Sequence, residues 1–301
     1  MSISSNLPIV VCAGEALADL VRTGERAWTH HPGGAIWNVA RACATLGLPT
    51  GFAGAVGEDV FGDDLARATR EARLDERFFQ RAPRPTLLAV VHELHPPAYY
   101  FLGENAADLA FAASKLPNGW ERAARWLHIG GVSLARAPLN EALLDMARLV
   151  KAAGGRVSFD PNARVSHRDP AYRPVFEAAL RLADFVKFSD EDVRFFFPNR
   201  SEDEALLEVR AFTSAPIVVT RGGDGATLLH GAERREFDAV KVTVADTVGA
   251  GDAFVAGALF SETSRSERSW ADHVAFALRV AATACTRSGA YAPTLAEVGA
   301  L

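Results

Sequence analysis

The chain has 301 residues, 49% hydrophobic and 23% charged, with a formal net charge of −5. This composition suits a large globular core. Without a basic tract, it argues against nucleic-acid and phospholipid surfaces and for a small-molecule partner.

In chain order, the opening MSISSNLPIVVCAG lacks the basic start and long apolar run of a signal peptide. No run of about 18 apolar residues follows, so no membrane span is expected. Cys12, Cys43 and Cys285 have no metal-type spacing and read as buried reduced thiols, which fits a cytoplasmic protein. Short apolar runs predict strands at 9–13, 50–56, 126–130, 156–160, 184–188, 217–220 and 226–230. Between and after them, helical periodicity marks 36–46, 62–72, 140–153, 170–183, 202–212, 250–262 and 270–287. This alternation predicts an α/β fold with a mostly parallel sheet covered on both faces. The stretch TLLAVVHELHPPAYYF (86–101) breaks the rhythm, reading as two strands around a turn at 95–97. Together with 18–32 it forms either a small β-flap or an edge hairpin of the main sheet. No linker divides the chain, so one domain over 1–301 is expected, with a lid at about 18–32 and 84–104.

The stretch DTVGAGDAF (246–254) carries the chemistry. The segment 240–245 before it reads as strand or extended chain, and the helix after it is apolar. Gly249 and Gly251 allow a charged oxygen to approach the unpaired amides and positive dipole end of that helix. Asp252 then either caps the helix or acts on a bound group. No GxxxxGK[ST] or GxGxxG occurs in the chain. A carboxylate beside an anion cradle makes chemical sense where a hydroxyl must lose its proton while attacking a phosphoryl group.

DTVGAGDAF resembles the C-terminal signature of the ribokinase-like (PfkB) family of carbohydrate kinases, and PGGAIWNVARACATLG (32–47) resembles its GG-x-x-x-N-x-A element. The resemblance runs from about residue 8 to 298 and implies a three-layer ribokinase-like sandwich with a small β-flap as lid. It implies Asp252 as general base and Gly249, Ala250 and Gly251 as anion hole. For the sugar it implies Asp19, Gly33, Gly34 and Asn38, with Asp160 and Asn162 from VSFDPNARVSHR (157–168) and Arg164 directed toward the transferred phosphate. The segment GAVGEDVFGDDL (54–65) resembles an architectural G-x-D-x-x-G element. VVTRGGDGATLL (218–229) resembles a nucleotide-site turn, implying Thr220, Gly222, Gly223 and Gly225 beside ATP, with Ala282 and Cys285 near the purine.

Where the family often has N-x-x-E, this chain has Ser189 and Asp192. Asp192 is expected to reach Mg²⁺ through water, and a monovalent cation such as K⁺ is compatible with the family. The histidine pairs His30-His31 and His92–His95 lack a matching carboxylate cluster and are not expected to bind metal. The implied reaction is ATP-dependent phosphorylation of a primary hydroxyl. GE at 14–15, PGGAxxN and DPNxR look most like bacterial fructokinases, with 2-keto-3-deoxygluconate kinase, ribokinase and nucleoside kinases as alternatives. A non-catalytic sugar- or nucleotide-binding protein on the same fold is the alternative of another class. Partners expected are a sugar and ATP, with a lid-mediated homodimer allowed.

Overall fold

The computed structural model describes residues 7–94 and 97–299. Thirteen strands follow in chain order. They are β1 (Val10–Ala13), β2 (Leu17–Arg22), β3 (Trp28–Gly33), β4 (Thr50–Gly57), β5 (Phe79–Ala82), β6 (Leu88–Leu94), β7 (Pro97–Leu102), β8 (Trp126–Gly130), β9 (Arg156–Asp160), β10 (Phe185–Ser189), β11 (Ile217–Thr220), β12 (Ala226–His230) and β13 (Glu233–Phe237). The α-helices are α1 (Ala35–Leu46), α2 (Val60–Glu71), α3 (Trp120–Ala123), α4 (Leu139–Ala152), α5 (Tyr172–Leu182), α6 (Asp190–Phe196), α7 (Glu202–Arg210), α8 (Ala250–Ser264), α9 (Trp270–Ala284) and α10 (Leu295–Gly299).

Nine strands form the main sheet in the order β13-β12-β11-β10-β9-β8-β1-β4-β5. The run from β11 through β10, β9, β8, β1 and β4 to β5 pairs in parallel, while β12 and β13 add antiparallel neighbours at one edge. Successive side chains point to opposite faces of a strand. Val10 and Cys12 of β1 accordingly join a core with α1, α8 and α9, whereas Val11 and Ala13 join one with α4, α5 and α7. Strands covered on both faces read as continuous apolar runs, which is why the sequence announced them clearly.

The segment at 86–101 belongs to a separate four-stranded sheet, ordered β3-β2-β6-β7, rather than to the edge of the main sheet. The expected turn at 95–97 includes residues 95 and 96, which lie outside the described residues. The lid is anchored through Asp59. Its carboxylate accepts from Gly62 N–H, capping α2, and from Thr86 N–H and Oγ, just before β6. That cap starts α2 two residues before the periodicity suggests. His30 of β3 meets Asp64 of α2 at 2.6 Å, a second polar contact between lid and body.

Five elements escape the sequence pattern: β5, β13, α6 and the short helices α3 and α10. β5 and β13 are sheet-edge strands, and the polar ERREF of β13 has no apolar alternation. α6 is a short helix started by a reciprocal cap between Ser189 and Asp192. The segment 240–245 forms no ladder and runs as irregular chain. α9 ends at Ala284, ahead of the expected 287, and the Cys285 carbonyl beyond it accepts from Ala245 and Asp246 N–H.

Candidate active site

The C-terminal ends of the parallel strands converge with the N-termini of α1 and α8, where open α/β sheets bind ligands. α8 begins after Gly249, whose φ of +76° lies in the left-handed region and whose missing side chain leaves room for Ala290. A Cβ there would lie 2.8 Å from the Ala290 Cβ. No side chain caps α8, so its dipole faces the site uncompensated by a capping oxygen. Asp246 braces the turn from behind, accepting from Val248 N–H at 3.0 Å and from Gly289 N–H at 2.8 Å. Burial opposes the charge on Asp246, but the N–H groups of Gly289, Val248 and Thr247 outweigh it and hold the carboxyl below its usual range.

Asp252 lies in the first turn of α8, only 8% exposed. Burial raises its pKa to about 6, helped by Asp160 and opposed by the Asn38 hydrogen bond, Lys187 and Arg164. Asn38 Nδ2 donates to Asp252 Oδ2 at 2.9 Å across 214 positions of sequence. The other amide atom of Asn38, Oδ1, is buried with no hydrogen-bond partner among the described residues. An unpaired buried acceptor is costly, so this atom is a natural place for a ligand hydroxyl to donate.

Gly34 precedes α1 with φ +107°, and a Cβ on it would come within 2.8 Å of the Glu15 carbonyl. Beside it, the Asp19 carboxylate occupies the space a side chain at Gly33 would need. The lid register places His31, Asp19, Ala89 and Phe101 in one row across β3, β2, β6 and β7. Burial pushes Asp19 up to about 6, against the pull of Arg164.

The DPN segment closes the opposite side. Asp160 ends β9, and its Oδ1 accepts from Asn162 N–H, with Asn162 itself left-handed at φ +41°. The Arg164 guanidinium donates to the carbonyls of Asn162 and Ala163 and acts electrostatically on both Asp19 and Asp252. Thus Asp252, Asn38, Asp19, Asp160, Asn162 and Arg164 occupy one neighbourhood.

Ser189 and Asp192 stand next to it with much of their bonding capacity already committed. Asp192 accepts from Ser189 N–H and Oγ–H and from Ala163 N–H, tying α6 to the DPN loop. On the nucleotide side, Thr220 pairs with Ser189 across β11 and β10 and donates to the Phe188 carbonyl. Gly222 and Gly223 are exposed, whereas Gly225 has φ +84° and no room for a Cβ beside the Phe237 carbonyl. Ala282 is buried in α9, and the Cys285 carbonyl accepts from Ala245 and Asp246 N–H, just before the 247–251 turn.

One site residue escaped the sequence reading, and a second was read only as part of a family motif. Lys187, in the middle of β10, is 4% exposed and donates to Asp160 Oδ2 at 3.0 Å. Glu15, after β1, accepts from Ser133 Oγ–H and N–H and feels Asp252. A signal existed for the first, since a lysine inside FVKFS is a charge at a position that must be buried.

The pfkB family carbohydrate kinases match residues 8–297. The chain belongs to this family. It is 30% identical over 298 residues to a fructokinase of Vibrio alginolyticus, covering 95% of this chain and 96% of that protein. A crystal structure of Vibrio cholerae fructokinase with fructose, ADP and calcium superposes with a TM-score of 0.85, at 30% identity over 97% of each chain. A putative ribokinase II of Escherichia coli with ATP and Mg²⁺ gives 0.87, at 25% identity over 98% of each. The pfkB fold, with its large mostly parallel sheet and separate small sheet, is therefore confirmed. The chain is a carbohydrate kinase, which sets aside the non-catalytic alternative. Among the described residues no helix is long and apolar enough to cross a membrane.

Proposed function

We propose that this kinase transfers the γ-phosphoryl group of ATP to D-fructose, giving fructose 6-phosphate, with Asp252 as general base. The observation that carries the mechanism is the Asn38–Asp252 pair at the uncapped start of α8. Asn38 spends its donor on the base and keeps a buried acceptor for a sugar hydroxyl. In this reading Asp252 takes the proton of the primary hydroxyl as its oxygen forms a bond to the γ-phosphorus. The bond from phosphorus to the bridging oxygen breaks, and ADP leaves with that electron pair. The amides of 249–251 receive the charge on the transferring group.

Asp19, Gly33, Gly34, Asp160 and Asn162 then line the sugar, while Thr220, Gly222, Gly225, Ala282 and Cys285 line the nucleotide. Mg²⁺ fits as an ion carried on the nucleotide phosphates, where it supplies charge neutralisation. The described residues hold no cluster of three or more potential metal ligands, and Asp192, whose oxygens accept from Ala163 and Ser189, would serve the ion through water.

Fructose is favoured by the names of the relatives, while Arg84 and Arg164 do not decide between fructose and an acid sugar. Arg136, which an acid sugar could use, is already held by both oxygens of Asp108 and by the Gly103 carbonyl. An ADP-release assay over fructose, 2-keto-3-deoxygluconate, ribose and nucleosides is expected to give fructose the highest kcat/KM. A higher value for another member reassigns the substrate. The variant Asp252→Asn is expected to keep sugar binding and lose about 10²–10⁴-fold in kcat; comparable turnover would remove Asp252 from the base role. The proposal extends to a homodimer through the lid, where Trp28, Tyr100 and Leu102 are exposed. Sedimentation showing a monomer at micromolar concentration would end that extension.

A further inference from the structure

Lys187 is out of character for its strand. Its neighbours Val186 and Phe188 are fully buried, and its own side chain is buried against Asp160. Replacing a buried ion pair by apolar residues is often neutral or stabilising, so stability alone is a weak reason for such a lysine. Its surroundings suggest another. A Cβ at Gly251 would lie 3.0 Å from Lys187 Nζ, which places the ammonium directly against the first turn of α8. An ammonium has three N–H donors, and among the described residues Asp160 is its one hydrogen-bond acceptor. Burial works to lower the lysine pKa, but Asp160, Asp192 and Asp252 together hold it above the usual range, so it is charged at neutral pH. His128 of β8, bonded to Ser158, is driven by burial and then by Lys187 to about 3, so it stays neutral and Lys187 is the buried cation of this stripe.

We propose that Lys187 is a positioning residue of the anion hole, a fixed buried cation beneath Gly251 that holds the α8 N-terminus and offsets the charge gathering on the transferring phosphoryl group. Together with Arg164 it supplies the positive charge that a phosphate-binding loop takes from its own lysine. The inference rests on the reading of Asp252 and the 249–251 amides given above. Gly251 is required on this account for a second reason besides amide access, because any side chain there would press on the ammonium.

The test compares Lys187→Met, which keeps length and loses charge, with Lys187→Ala, which leaves a cavity. Each leaves Asp160 buried without its ion partner, so the melting temperature is expected to fall, while the variants stay folded at assay temperature and bind fructose within about threefold of the parent. Their kcat should fall by about 10²-fold, the effect of losing one preorganised charge-stabilising group. Added methylammonium or ethylammonium should restore turnover of Lys187→Ala at least tenfold, and n-propanol should not. The proposal is overturned if Lys187→Met turns over within threefold of the parent, if the neutral alcohol rescues as well as the ammonium, or if the loss is confined to KM or to the fold. Asp252→Asn, run alongside, separates the two levels. If it is active, the reading of the site fails; if it is inactive while Lys187→Met stays active, only the role of Lys187 falls.

Discussion

Asp252 must be unprotonated to accept a proton, and burial places its carboxyl at about 6. As the base, it should therefore give kcat/KM an acid limb near pH 6, with full activity above it and a tenfold fall per unit below. Asn38 favours the charged form through its hydrogen bond, so Asn38→Ala should move that limb upward and raise KM for the sugar. A limb left in place would show that the profile reports another group. Asp252 was legible in the sequence because nine contiguous residues carry its setting. Its partner Asn38 was legible only as a sugar ligand, since contiguity says nothing of a bond between residues 214 positions apart. Lys187 was visible only as a charge inside an apolar strand, because the turn at 246–254 holds no lysine of its own and the fold delivers one from β10.

At the level of elements, the site depends on where α8 starts, and Gly249 sets that point. Gly249→Ala forces a side chain into φ +76° and against Ala290. It should cost about 1–3 kcal/mol of stability and, by shifting the amides, reduce kcat by more than tenfold. Gly154, at φ +89° after α4, has open space around it, so Gly154→Ala should incur a strain penalty with kcat unchanged. Equal kcat in the two variants would show that the α8 start does not position the chemistry. The lid shows what periodicity cannot settle. Its strands were visible as extended segments, but whether they join the main sheet depends on β2 pairing with β6, a contact between distant stretches. The short helix α6 was missed because its start rests on a local cap rather than on apolar spacing.

Over the whole molecule, the site concentrates acids that folding makes harder to ionise: Glu15 at about 7, and Asp19 and Asp252 at about 6. Each folded pKa stands above its unfolded value, so the folded state binds these protons more tightly. The stability they add is fully present below about pH 4 and is lost as pH rises through 6 to 7. Glu15 is the cleanest case, because it is 2% exposed and shifted mainly by burial, with Ser133 and backbone N–H groups opposing and Asp252 adding to it. A shift from 4.5 to about 7 corresponds to roughly 3 kcal/mol between pH 4.5 and 8. Glu15→Gln keeps an acceptor for Ser133 and removes the proton, so its stability should lack this component. Relative to the parent, the variant should gain melting temperature between pH 5.5 and 8.5, by about 4 °C or more for a chain of this size. Because Glu15 is still mostly protonated where Asp252 titrates, the acid limb of kcat/KM should stay in place in Glu15→Gln. A melting difference constant across that range would mean Glu15 is already ionised in the folded protein at pH 5.5, with Ser133 and its neighbours meeting the full cost of the buried charge.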